Sequence, residues 1–195
     1  FIGAAENGNG ITRLLKAIRH DGPDVAATSQ RLAIKANGLA LQVMKTIHTS
    51  HAGKLSVARV FSGSVTDGAE LAGASGAGKV SGLYALLGKD ARKVQSGAAG
   101  DTVALGKLDG VKTGARLGTA KEPAKSSTSL PSPGAVMSIA VRAKERKDEV
   151  KLSSSLRRSA DEDPSLGIEH NQECAETVIS CQGEMHLRVA LERLS

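Results

Sequence analysis

The sequence predicts a mainly β chain that ends in an α+β domain: a closed β-barrel, then a small domain of order βαββα. Three observations carry that expectation. The middle of the chain is a succession of short apolar runs parted by the turn signals "SGSVTDG", "GASGAG", "SGAAGD" and "LDGVKTG", the rhythm of an all-β barrel. A polar stretch with two prolines, Lys125–Gly134, then breaks the pattern. Beyond it the apolar spacing switches between strand and helix periods.

The elements follow in order. Phe1-Ile-Gly-Ala-Ala5 reads as the end of a buried strand. Ile11, Leu14, Leu15 and Ile18 lie at i, i+3, i+4 and i+7, a helix with one apolar stripe that stops near His20-Asp-Gly-Pro23. One strand and one helix cannot enclose a core, so residues 1–31 are expected to be the remnant of a further domain. Residues 32–122 are assigned to the barrel, with Leu39–Ile47 and Lys54–Phe61 as its first strands, and residues 123–134 to a linker. In residues 135–195, Met137, Ile139, Val141 and Ala143 alternate as a strand face, so a strand is drawn over Val136–Lys144. Lys147–Asp163 reads as a helix that ends before Pro164. Leu166–His170 and Glu176–Ser180 read as short strands, and from Glu184 a helix carries Leu187, Ala190, Leu191 and Leu194 on one stripe. This is a ferredoxin-like βαββαβ unit without its last strand. It places Val136–Lys144 at the edge of a three-stranded antiparallel sheet.

Composition narrows the function. With only Phe1, Phe61 and Tyr84 aromatic, the core is aliphatic, and single-strand binding by base stacking lacks its rings. No apolar run reaches transmembrane length. Cys174 and Cys181 fit no metal spacing and are compatible with a reducing compartment. The net charge of +6 is concentrated in residues 33–122, which hold twelve basic and six acidic residues. Two readings of that excess stay open: a polyanionic partner, RNA first, or ordinary surface lysine.

"GASGAGK" comes close to a phosphate-binding loop, with Gly73, four residues, Gly78 and Lys79. Such a loop needs a hydroxyl next to hold magnesium, and it joins a buried strand to a helix. Val80 follows instead, and the flanking segments alternate as strands. The expectation is a hairpin, with no nucleotide bound there.

Four blocks in order resemble the elongation factor G family. "HAGKLSVARVFSGSVTDGAEL" and "AGDTVALGKLDGVKTGARL" are similar to the second-domain barrel of that family, and "LRRSADEDPSLGIEHNQE" and "ETVISCQGEMHLRVALERL" to its third domain. The lysine-rich "RAKERKDEVKL" resembles the divergent bacterial elongation-factor-G-like proteins. The resemblance implies an internal fragment of a GTP-dependent ribosomal translation factor, a cytoplasmic protein that docks on ribosomal RNA and small-subunit proteins and binds neither DNA nor membrane. It implies GTP and magnesium for the parent and none for the fragment. Ala4-Ala5 stands where the family has a Ser-Ala pair whose backbone touches guanine, a departure at the first position. Ser159 replaces a usual apolar residue, and Cys181 a usual glycine. The alternatives are a ribosome-protection factor or another translational GTPase, a stand-alone RNA-binding barrel, and a nucleotide-binding enzyme using "GASGAGK".

No catalytic or metal-binding group is expected. Asp161, Glu162 and Asp163 fan around a helix and read as a solvated end. His48 and His51 read as surface residues. Glu184 and His186 face different sides, and neither serves the other as a base. The RNA-binding candidates are Lys54 and Arg59 in the barrel, and Arg142, Lys144, Arg146 and Lys147. Of these, Arg142 and Lys144 share a strand face, and Arg146 and Lys147 burden a helix start where cations are disfavoured.

Overall fold

The computed structural model describes residues 1–34, 38–49, 53–74, 76–88, 90–124, 133–171 and 176–194. The linker residues 125–132, His51 and Cys174 lie outside them. The chain forms two compact units, Phe1–Asn37 and Gly38–Ser195.

The first unit is helical. Helix α1 (Ile11–Asp21) ends where Gly22 donates its N–H to the Ile18 carbonyl, ahead of Pro23. Helix α2 (Val25–Arg31) starts on Asp24, whose carboxylate accepts from the Ala27 N–H at 2.7 Å. The sequence reading lacked α2. Its one signal is the Asp24 cap, since "VAATSQR" carries no apolar stripe. The opening strand is also corrected: Ala4 makes a single bridge to Asn9, and Phe1 and Ile2 are 84% and 99% exposed.

The second unit begins with the barrel. Its strands are β1 (Ala40–Thr49), β2 (Gly53–Ser62), β3 (Ser64–Thr66), β4 (Glu70–Gly73), β5 (Gly76–Lys79), β6 (Leu83–Leu87), β7 (Asp90–Lys93), β8 (Ser96–Ala98), β9 (Thr102–Gly106) and β10 (Arg116–Thr119). Eight of them run in the order β5-β4-β10-β1-β2-β9-β6-β7, and β3 pairs with β8. Leu41, Val43, Ala58, Val60, Leu105 and Leu117 meet in an aliphatic interior, where a Leu→Ala change costs about 2–5 kcal/mol. Tyr84 lies over Gly82, whose φ of +100° and missing Cβ admit the ring.

A bulge in β1 resets the direction of its later side chains. Leu41 and Val43 point inward, and the register with β2 then shifts between Val43 and Lys45. The extra residue changes the phase of the strand. Thr46 is therefore the next buried residue, hydrogen-bonded to Thr113 at 3.0 Å, and His48 shares its side.

The α+β part contains β11 (Met137–Val141), a 3-10 turn (Arg146–Asp148), α3 (Glu149–Glu162), β12 (Gly167–Asn171), β13 (Glu176–Cys181) and α4 (Glu184–Glu192). The sheet is antiparallel in the order β11-β13-β12, so β11 is at an edge as expected. Ile139, Ile179 and Ile168 align across the three strands, and Leu156, Leu187 and Ala190 from the helices close over them. The first strand is shorter than the alternation suggested: pairing stops at Val141, and residues 142–144 lie beyond it. Cys181 carries no strain. It is a buried residue of β13, its thiol donates to the Gly183 carbonyl at 3.4 Å, and the positive φ of the turn, +136°, belongs to Gly183. Ser159 is half-buried on α3 and bonds back to the Ser155 carbonyl at 3.2 Å.

Candidate nucleic-acid interface and the seam behind it

Arg142, Lys144, Arg146 and Lys147 are all exposed. They occupy the path from the end of β11 into the 3-10 turn before α3. Arg142, Lys144 and Arg146 make no ion pair with a described residue, whereas Lys147 pairs with Glu145 at 2.7 Å. Arg142 also stands, with Arg157 and His170, on the rim of a cleft of about 870 Å³ between α3 and the sheet, floored by Leu152, Leu156 and Ile168. Cations gathered at a helix start repel one another and the helix dipole. An anion placed among them relieves both costs. Arg59 is half-exposed on β2 and donates to the Thr102 hydroxyl at 3.3 Å.

Lys54 does not belong to this surface. Its side chain is 5% exposed, its ammonium donates to the Asp109 carbonyl at 2.9 Å, and it pairs with Asp161 of α3 at 3.6 Å. The cause is its place in the ladder: Lys54 lies opposite His48 on β2, at the end of the barrel that α3 meets.

The acidic run is corrected with it. Fanned around the last turn of α3, the three carboxylates reach three different environments. Asp161 lies 3.4 Å from His48 Nε2 and 3.6 Å from Lys54 Nζ. Glu162 accepts the His48 backbone N–H at 2.5 Å and faces Arg193 at 4.0 Å. Asp163 accepts from the Ser165 N–H and hydroxyl and from His186 Nε2 at 3.0 Å. Partial burial pushes the Asp163 carboxyl up, but the Ser165 and His186 hydrogen bonds outweigh that and hold it below the usual carboxylate range.

His186 is thus fixed from outside its own helix. The Gln182 N–H donates to Nδ1 at 3.1 Å, and Nε2 faces the Asp163 carboxylate at 3.0 Å. With both nitrogens engaged, the ring ties α4 to the end of α3 and is not a free base. Among the described residues no cluster of His, Cys, Asp and Glu could hold a metal ion, and no helix is long and apolar enough to cross a membrane.

The glycine-rich stretch is a hairpin of β4 and β5, with Val80 buried after it. Its glycines serve close packing: a Cβ on Gly73 would collide with the Arg116 carbonyl, and one on Gly76 with the Gly110 carbonyl. No helix follows to face a phosphate. At the other end, the Ala4 N–H is committed to the Asn9 carbonyl at 3.0 Å.

Comparison with known proteins agrees with this architecture. A sequence profile described as "Elongation factor G domain 2" matches residues 39–120, and one described as "Elongation Factor G, domain III" matches residues 132–195. An "Elongation factor G-like protein" of Synechocystis is 38% identical over 99% of this chain and 28% of its own length. An "Elongation factor 2" of Picrophilus torridus is 37% identical over 84% of this chain and 22% of its own length. A crystal structure of a Thermus thermophilus protein superposes with a TM-score of 0.74 at 28% identity, covering 95% of this chain and 27% of that one. The chain thus spans about a quarter of the length of these relatives. Its barrel and its three-stranded α+β domain coincide, in order and extent, with the two matched domains, and the chain belongs to the elongation factor G family.

Proposed function

We propose that this chain is the docking and domain-coupling body of a GTP-dependent ribosomal translation factor, one that couples nucleotide hydrolysis to movement of tRNA and mRNA or to a related ribosomal step. The observation that carries the reading is the exposed Arg142, Lys144 and Arg146, which make no ion pair with a described residue in a chain of this family. GTP and magnesium act elsewhere in the factor, whose setting is the cytoplasm. Arg142, Lys144, Arg146, Lys147 and Arg59 are the residues proposed to face ribosomal RNA, and Ala4-Ala5 adds a backbone contact to guanine only within a complete GTPase domain.

The test is binding of this chain to small ribosomal subunits across a salt series. Affinity should fall steeply between roughly 50 and 200 mM salt, because each phosphate contact releases counterions. The double variant Arg142→Glu, Lys144→Glu should bind more weakly, with a salt slope reduced by about two. Unchanged affinity and slope in that variant would remove these residues from the interface.

A further inference from the structure

The barrel and the α+β domain each leave polar groups that only the other completes. On the barrel side, Lys54 is buried, and its partner within the barrel is the neutral Asp109 carbonyl. A buried ammonium without a counter-charge is strongly unfavourable, and here the counter-charge is Asp161, from the other domain. The His48 N–H is likewise a strand amide whose acceptor, Glu162, lies outside the barrel. On the α3 side, Asp161 and Glu162 sit in the last turn of a helix, where the dipole disfavours negative charge. His48 and Lys54, from β1 and β2, stabilise them there, and Glu162 also faces Arg193 of its own domain at 4.0 Å.

Apolar packing contributes little to this seam. The two hydrophobic clusters share no residue: one is built from positions of the barrel, the other from positions of the α+β domain. The two cores are therefore built independently of each other, and the contacts that join α3 to the barrel are those of four charged or polar residues. Breaking either domain open exposes its aliphatic interior, which is far more costly.

We propose that His48 and Lys54, with Asp161 and Glu162, form an electrostatic latch, and that the α+β domain leaves the barrel as a rigid body when the latch is screened or outcompeted. This deepens the coupling part of the proposed function by naming the joint and what controls it. The bulge in β1 is part of the device, since the phase change there puts His48 on the side of Thr46. Asp163 is not part of it: its partners Ser165 and His186 lie within the α+β domain and travel with it.

The His48 amide reports the latch directly, because its acceptor is Glu162 and not a neighbouring strand. Residue-resolved hydrogen exchange on the whole chain is the experiment. At low salt the His48 amide should be protected. In the double variant Asp161→Asn, Glu162→Ala it should lose about tenfold or more of that protection, the scale of a hydrogen bond to a charged acceptor. Raised salt should lower it in the parent chain in the same direction. The ladder amides of Val57 and Ile179 should stay protected throughout. Asp148→Asn with Glu149→Ala, at the opposite end of α3, should leave His48 unchanged. If the seam variant loses Ile179 protection as well, Lys54→Gln reads the same latch from the barrel side. His48 protection that survives both variants overturns the proposal. So does a loss shared equally by the barrel ladder, which would make the seam part of one cooperative core. The readout needs neither ribosome nor RNA, so its failure is distinguishable from failure of the docking reading.

Discussion

Replacing Gly76 by alanine separates a packed hairpin from a phosphate loop. Gly76 opens β5 with φ +152°, and a Cβ there would meet the carbonyl of Gly110. That carbonyl cannot easily yield, because Val111 beside it is fully buried and its N–H is tied to the Leu108 carbonyl at 3.1 Å. The unfavourable backbone conformation costs about 1–3 kcal/mol. Overpacking against fixed backbone adds about 1–3 kcal/mol. A total near 3 kcal/mol lowers the melting temperature of a domain of this size by roughly 12–24 °C. Thermal unfolding followed by circular dichroism at the strand band reads this directly. In parallel, calorimetric titration of the parent chain with GTP, GDP and ATP in the presence of magnesium should show no binding. A melting temperature within about 2 °C of the parent's would refute the packing argument. Micromolar nucleotide binding that Lys79→Ala abolishes would restore the phosphate-loop reading.

Two further outcomes concern the α+β domain and the barrel surface. Asp163, and Asp67 (held low by the Gly82 N–H first, then by Lys93), have carboxyls depressed below their ordinary value, so each contributes stability that is complete above the unfolded-state pKa and lost as pH falls through the folded one; urea unfolding from neutral pH into the acid range should show Asp163→Asn with a shallower acid loss than the parent chain. Cys181→Gly should destabilise by about 1–3 kcal/mol, because it empties a buried site of β13 and loosens a strand that needs no positive φ; a variant as stable as the parent in denaturant titration would show that the site tolerates glycine.

The elements with strong periodicity were legible in the sequence. Ile139 and Val141, or Leu187, Ala190 and Leu191, repeat at the spacing of the structure they form, and each buries the face that the spacing implies. Helix α2 was hidden because its residues have no stripe and only Asp24 marks its start. The β1 bulge was hidden inside the single run Leu39–Ile47: the adjacent apolar pair Val43-Met44 breaks the alternation, but nothing local says which residue is extra. Lys54 shows the general limit on the site. Its burial is set by α3, more than a hundred positions later, which brings Asp161 to it. A sequence reading identifies a lysine among apolar neighbours but not the distant carboxylate that removes it from the surface. The same holds for the acidic run, whose residues were read correctly as diverging; their destinations lie far off in the chain, on β1 and β2 for Asp161, on β1 for Glu162 and on α4 for Asp163.

The ring of Tyr84 over Gly82 has an optical consequence. The chain has one tyrosine and no tryptophan, so its near-ultraviolet emission comes from a single fluorophore in the barrel. That signal follows melting of the barrel and is silent about the sheet of β11, β12 and β13. A transition seen by tyrosine emission and one seen by far-ultraviolet ellipticity therefore weigh the two domains differently. Their midpoints coincide only while the domains unfold together, and any gap between them measures the independence of the second domain without a label being attached.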